Sequence, residues 1–189
     1  MEEEFRYLSD NGYTSITPDD LANALTKGTP LPSKPVMLTF DDGWEVQYKD
    51  ALPLLKKYHF VGTFYIYTNA IGRNHYLTWN EVKALDKAGM EIAGHTKSHP
   101  YLVKITDENV LQDEIAGGKR IIEEQLGHPI TAFAVPFGHY NEQIIRVAKD
   151  AGYTTLRTTY PGVIYTKSDL FSLTAQLAPE RFAEFKGML

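Results

Sequence analysis

Cysteine is absent from the 189-residue chain. Its absence excludes disulfides and thiolate metal sites and leaves imidazole and carboxylate as the strong ligands available. Blocks of five or more basic residues are also missing. Nineteen Lys and Arg stand against 24 Asp and Glu, a net charge of −5, so neither nucleic acid nor an anionic membrane surface is an expected partner. No apolar run approaches the ~18 residues that a membrane-spanning helix needs. The acidic start, Met1 to Phe5, has no apolar stretch behind it and reads as neither a signal peptide nor an anchor. Repeats, low-complexity tracts and interdomain linkers do not occur. What is present, 43% hydrophobic and 12% aromatic residues, suits one domain over residues 1–189 with a sizeable core.

Apolar runs alternate with amphipathic segments, the pattern of βα units around a parallel sheet. A short helix is expected from Phe5 to Asn11, and a second from Pro18 to about Leu25 with Thr17 as its N-cap. Val36 to Phe40 reads as one buried strand, followed by a helix from Tyr48 to Tyr58 and a strand from Gly62 to Tyr67. Thr78 and Glu81 form a capping box for a helix ending near Gly89. Glu91–Gly94 is the next strand, and a long helix is expected over about 107–126. A strand over 131–135, a helix over 141–151, a strand over 153–158, a strand over 170–173 and a helix from Pro179 to Met188 complete the chain. Five or six such units predict an incomplete (β/α) barrel or an open doubly wound sheet. In either, active residues gather at the carboxyl ends of the strands.

Three segments fall at such ends: Thr39-Phe40-Asp41-Asp42-Gly43, His95-Thr96-Lys97-Ser98-His99 and Val135-Pro136-Phe137-Gly138. Adjacent residues on a strand end point apart, so one of Asp41 and Asp42 can bind a metal while the other faces substrate as a base. An isolated Asp-Asp-Gly is more often a polar turn. Here it follows a buried strand and precedes Trp44, an aromatic suited to a sugar platform. His95 and His99 are four apart, which in a helical turn puts both imidazoles on one face, although such a pair on an ordinary helix is usually just solvated. Thr96 and Ser98 offer supporting hydroxyls. Two imidazoles, a carboxylate ligand and a free carboxylate are what a hydrolytic zinc-type site needs. The Pro136-Phe137-Gly138 turn offers a backbone N–H for an oxyanion. Trp44, Tyr76, Trp79, Phe137 and Tyr140 are candidates to line a sugar groove, with packing an equal reading for Trp79. His59, His75 and His128 read as helix-end or loop residues.

On the first two segments the chain resembles the polysaccharide deacetylases, the NodB-homology group also called carbohydrate esterase family 4. The resemblance runs from about Phe5 to Phe185. It leans towards the branch acting on poly-β-1,6-N-acetylglucosamine, as in Gly12-Tyr13-Thr14-Ser15-Ile16-Thr17, Leu77-Thr78-Trp79 and Gly152-Tyr153. It implies an α/β fold of the distorted, incomplete (β/α) barrel kind, with Asp41 as general base and Asp42, His95 and His99 as metal ligands. It implies a divalent ion, zinc first and cobalt, nickel or iron as alternatives. It implies removal of N-acetyl groups from N-acetylglucosamine units of a biofilm or cell-wall glycan, outside the cell or at its surface.

The departures from the family pattern are specific. Its third signature begins with an arginine that braces the catalytic aspartate, and this chain has Ala134 there, keeping Pro136 and Gly138. The late Asp-x-x-Asp-Trp and Leu-x-x-His-Asp signatures have no counterpart, since no histidine follows His139. His139 is thus the in-chain candidate for the acid. The branch that the chain resembles carries its histidine acid ahead of the first helix, so a domain trimmed at its N-terminus is one reading. A carbohydrate-binding relative that keeps the metal site with impaired catalysis is the alternative function. A non-haem iron oxygenase, which would use the same ligand set, fits the βα alternation poorly.

Overall fold

A chain of alternating apolar strands and amphipathic helices buries both faces of its strands by wrapping a parallel sheet in helices. The computed structural model of this protein describes residues 1–162, 165–179 and 181–189. Helix α1 (Glu2–Asp10) leads to β1 (Thr14–Ser15) and α2 (Pro18–Lys27), which opens on the expected Thr17 cap, closed into a capping box by Asp20. Strands β2 (Pro35–Val36) and β3 (Leu38–Asp41) follow. After β3 come α3 (Leu52–Lys57), β4 (Gly62–Ile66), α4 (Trp79–Lys87) and β5 (Glu91–Gly94). The chain continues through α5 (Glu108–Gln112), α6 (Gly118–Leu126), β6 (Ala132–Ala134), α7 (Glu142–Asp150), β7 (Thr155–Arg157) and α8 (Phe182–Met188).

Strands β3 to β7 form one parallel sheet in sequence order, and β1 pairs with β2 in a separate two-stranded piece. The outer face of the large sheet meets the helices over a core that includes Phe64, Ile66, Ile92, Phe133 and Leu156. The inner face carries Tyr65, Ala93, Ala132 and Ala134 packed on one another. This is the expected incomplete barrel rather than the doubly wound alternative, with β3 and β7 as its two ends. The extended chain after β7 adds a partial strand on that side, where Leu173 bridges Arg157 in parallel. The seam between that segment and β3 holds two cavities of about 520 and 570 Å³, both lined by Val36, Thr39, Arg157 and Ala175.

Four expectations need correction. The strand over 36–40 is split at Met37, because Val36 pairs with Ser15 while Leu38 turns to pair with Gly62. The helices over 48–58 and 107–126 each contain a wide π-turn, at Gln47–Ala51 and Asp113–Gly117, which periodicity does not register. Residues 170–173 are not a strand. Lys167–Phe171 is a 3₁₀ turn capped by Thr166 and Asp169, and Leu173 alone joins the sheet. The terminal helix begins at Phe182, and the part of its expected start at residue 180 lies outside the described residues.

Candidate metal centre and active site

Strand β3 ends at Asp41, which is in register with Tyr65 on β4. The next two residues leave the strand in left-handed backbone, Asp42 at φ 75° and Gly43 at φ 78°. A Cβ at Gly43 would crowd Ile66 Cγ2 at 3.2 Å, so glycine both permits the turn and lets it press against β4. As expected of neighbours, the two carboxylates point apart.

Asp42 faces β5. Its Oδ1 lies 3.6 Å from His95 Nε2 and 3.3 Å from His99 Nε2, and one donor atom from each of the three residues falls within 4.8 Å of the others. Donors sharing a tetrahedral ion at about 2.1 Å lie about 3.4 Å apart, so the spacing fits a divalent metal. The surroundings fit as well. His95 is buried, and its Nδ1–H donates to the Ala134 carbonyl at 2.7 Å, which leaves the Nε2 lone pair facing Asp42. Burial pushes the His95 imidazole down to about 4, so it is neutral and able to ligate at neutral pH. The second oxygen of Asp42 accepts from Trp44 Nε1 at 3.2 Å. The His95–His99 segment is not the helical turn considered for it. Thr96 and His99 both have left-handed backbone, and it is this loop shape that brings the rings together, 4.8 Å between centroids.

Asp41 points to the inner face of the sheet, close enough to His95 for its charge to act on that ring, and borders one of the seam cavities. Both of its oxygens accept from Arg157 Nη2, at 2.5 and 2.6 Å, and its backbone carbonyl accepts from the buried Gln47 side chain at 2.5 Å. Arg157 is buried on β7, directly beside Ala134 in register. The bracing arginine that position 134 lacks is therefore supplied from the neighbouring strand. The small Ala93, Ala132 and Ala134 leave room on the inner face for it, and its guanidinium lies 4.8 Å over the Tyr65 ring. The absence of an arginine at 134 is thus matched by one on β7 that reaches Asp41. Sequence reading passed over Arg157, although an arginine inside an otherwise apolar strand has to find a carboxylate partner.

Aromatic rings surround the centre. Trp44, 39% exposed, stacks on Tyr76 at 4.3 Å. Phe137 and Tyr101, each 41% exposed, stack at 3.8 Å, and Phe137 also lies 4.8 Å from the His99 ring. Tyr101 was not among the expected groove residues. Phe137 sits at φ 61° between the buried Pro136 and Gly138, which turns its ring out of the strand end. His139 is exposed beyond this stack, 6.4 Å from Tyr101 and 6.5 Å from Tyr160, and Tyr140 also borders Tyr160. Trp79 begins α4 and packs against the core.

The fold and the site define a polysaccharide deacetylase, and the chain belongs to that family, whose model matches residues 28–156. YxkH of Bacillus subtilis (strain 168), named for the same family, is 33% identical over 173 residues, 92% of this chain and 62% of its own length. Peptidoglycan-N-acetylglucosamine deacetylase of Bacillus cereus is 35% identical over 133 residues, 70% of this chain and 60% of that protein. Poly-beta-1,6-N-acetyl-D-glucosamine N-deacetylase of Escherichia coli (strain K12) is 28% identical over 117 residues, 53% of this chain and 17% of that protein. The chain thus spans about three fifths of the two Bacillus relatives and a smaller part of the third. Among solved structures, Streptococcus pyogenes deacetylase PplD in complex with acetate superposes with a TM-score of 0.91 at 29% identity, over 98% of this chain and 83% of that one.

Proposed function

We propose that this chain hydrolyses the N-acetyl groups of N-acetylglucosamine units in a polysaccharide, with Asp42, His95 and His99 holding a divalent metal, zinc in the first instance. The observation that carries the reading is the division of labour at 41 and 42. One carboxylate converges with two imidazoles, and its neighbour, held by Arg157, stays out of the ligand set. A bound ion supplies Lewis acidity to the acetamide carbonyl and makes a nearby water more acidic. The chain supplies the rest. Asp41 takes the proton from the attacking water, and Arg157 fixes the direction in which its oxygens point. The turn at Phe137 offers its backbone N–H to the oxyanion. The water oxygen bonds to the carbonyl carbon, the C–N bond breaks, and the departing amine takes up a proton. Acetate and a free glucosamine amine result. His139, on the rim, is the in-chain histidine to test as the donor of that proton.

The substrate class rests on the flanking rings. The apolar faces of hexosamine rings stack on exposed aromatics, and the Trp44–Tyr76 and Tyr101–Phe137 pairs contact the metal centre from the Asp42 side and the His99 side respectively. Kinship to deacetylases of peptidoglycan and of poly-β-1,6-N-acetylglucosamine supports an N-acetylglucosamine polymer and an action outside the cell or at its surface. The test is acetate release from soluble N-acetylglucosamine oligomers by metal-loaded protein, abolished by a chelator and by Asp41→Asn. Sugar binding with no acetate release overturns the proposal in favour of a binding relative.

A further inference from the structure

The loop from His95 to His99 carries two of the three metal-binding side chains on a backbone that costs energy to hold. Thr96 at φ 71° and His99 at φ 62° both sit in the left-handed region, and such residues persist only where their surroundings over-determine them. The loop's polar groups show what does so. The His95 N–H donates to the Ile66 carbonyl at 2.9 Å, and the carbonyls of Thr96 and Lys97 accept from the N–H groups of Thr68 and Asn69 at 3.3 and 2.8 Å. The His99 N–H donates to Thr96 Oγ1 at 2.9 Å. Two further donors converge on one side chain. Lys97 and Ser98 N–H donate to Glu114 Oε2 at 3.1 and 2.8 Å, and Ser98 Oγ donates to Glu114 Oε1 at 2.5 Å.

We propose that Glu114 is a positioning residue for the metal centre, fixing the loop shape in which both imidazoles converge on Asp42. The proposal rests on the metal-centre reading of Asp42, His95 and His99. Glu114 touches none of the three, and acts through the backbone between the two histidines. Its reach depends on the helix it stands on. The π-turn at Asp113–Gly117 joins α5 to α6, and Glu114 and Gly118, four apart, both face the loop. A Cβ at Gly118 would stand 2.9 Å from the Thr96 carbonyl carbon and 3.1 Å from the Lys97 nitrogen. The missing side chain is what lets the helix come close enough for the carboxylate to collect three hydrogen bonds. Bonds from N–H and O–H to a charged carboxylate are the stronger kind, so this clamp outweighs the exposed Lys97–Asp113 pair beside it.

The experiment measures zinc affinity by competition with a chromophoric chelator, and amide hydrogen exchange of the metal-free chain. Glu114→Ala is expected to weaken zinc binding by about 10- to 100-fold, the usual effect of removing a group that orients ligands. Exchange at Lys97, Ser98 and His99 should speed up while the amides of β4 and β5 keep their protection. Glu114→Gln should stay within a few-fold of wild type, because its amide oxygen still accepts both N–H groups and its NH₂ can donate to Ser98 Oγ. Should Glu114→Ala not fold, Glu114→Asp takes its place, since it keeps the charge but falls a methylene short of the loop. Zinc affinity within about twofold of wild type in Glu114→Ala, or in Glu114→Asp where that is the folded variant, overturns the proposal alone. A wild-type chain that takes up no zinc overturns the metal reading, and the proposal with it.

Discussion

Asp41 and Asp42 are neighbours, but each is anchored to a different kind of structure. Asp42 faces the His95–His99 loop, whose backbone is tied by hydrogen bonds from β4, from Thr96 and from Glu114. Asp41 borders the seam where the sheet stops short of closing. There the Asp41–Arg157 pair links β3 and β7, the two ends of the sheet, beside two cavities. The metal side is held by several hydrogen bonds to the loop backbone, and the base side by the Arg157 ion pair together with the Gln47 contact to the Asp41 carbonyl. The difference predicts that the two sides fail separately, base placement with the loss of Arg157 and ligand placement with the loss of Glu114.

The largest effects should fall on the base and on the metal ligands themselves. Asp41→Asn is expected to lower acetate release by about 10²–10⁴-fold with zinc uptake intact, whereas His99→Ala loses zinc. Acetate assays beside zinc titrations check both, and zinc loss in Asp41→Asn would exchange the roles of 41 and 42. Arg157→Ala comes next. Misdirecting the base should cost on the order of 10²-fold in rate. Breaking a buried pair costs about 3–5 kcal/mol, but Asp41 is part-exposed, so about 1–3 kcal/mol of stability is the expected loss. Zinc affinity should not change. If Arg157→Ala weakens zinc as much as it slows turnover, the two regions are not separate.

Gly118→Ala tests the metal side by crowding rather than by deletion. A methyl group forced against the Thr96 backbone is expected to cost about 1–3 kcal/mol, read as a fall in Tm of roughly 2–4 °C per kcal/mol. An unchanged Tm would mean that α6 moves aside freely. The smallest effect is expected at Glu91, at the far end of the strand that delivers His95. Burial, and then the negative charge of Asp19, hold its carboxyl up at about 8 against an ordinary 4.5. The folded chain therefore keeps a proton that the unfolded chain has given up, and stability falls as pH rises through that window. Glu91→Gln should flatten this slope and leave acetate release at neutral pH unaltered. Denaturant titrations at pH 5 and pH 8 that give the same slope for both proteins would refute it.

The elements legible in the sequence were those fixed by local chemistry. The Thr17 and Thr78 caps, the glycine stops, the buried run of β4 and the span Glu91–Gly94 depend on residues within a few positions of one another. The cluster of Asp42, His95 and His99 was legible for a similar reason, since the first two motif segments each bring their candidate donors within five residues, and one donor atom of each falls within 4.8 Å of the others. The π-turn at Asp113–Gly117 was not legible, because a widened turn keeps the apolar stripe of a helix. Gly117-Gly118 inside that helix was the available sign of a close backbone approach. The split at Met37 was hidden as well, since both halves are equally apolar and only their partners differ.

By itself, then, the sequence determined which residue types meet at the carboxyl ends of the strands and in what order the strands and helices come. Only the tertiary structure decided that Arg157, 116 residues from Asp41, takes the place that Ala134 leaves empty. It also decided that His95 and His99 converge through a strained loop clamped by Glu114 instead of through helical spacing. The physical reason is reach. Propensity, capping and periodicity act over a turn or two of chain, while the curvature of the sheet and the distance between its two ends are set by the packing of the whole core.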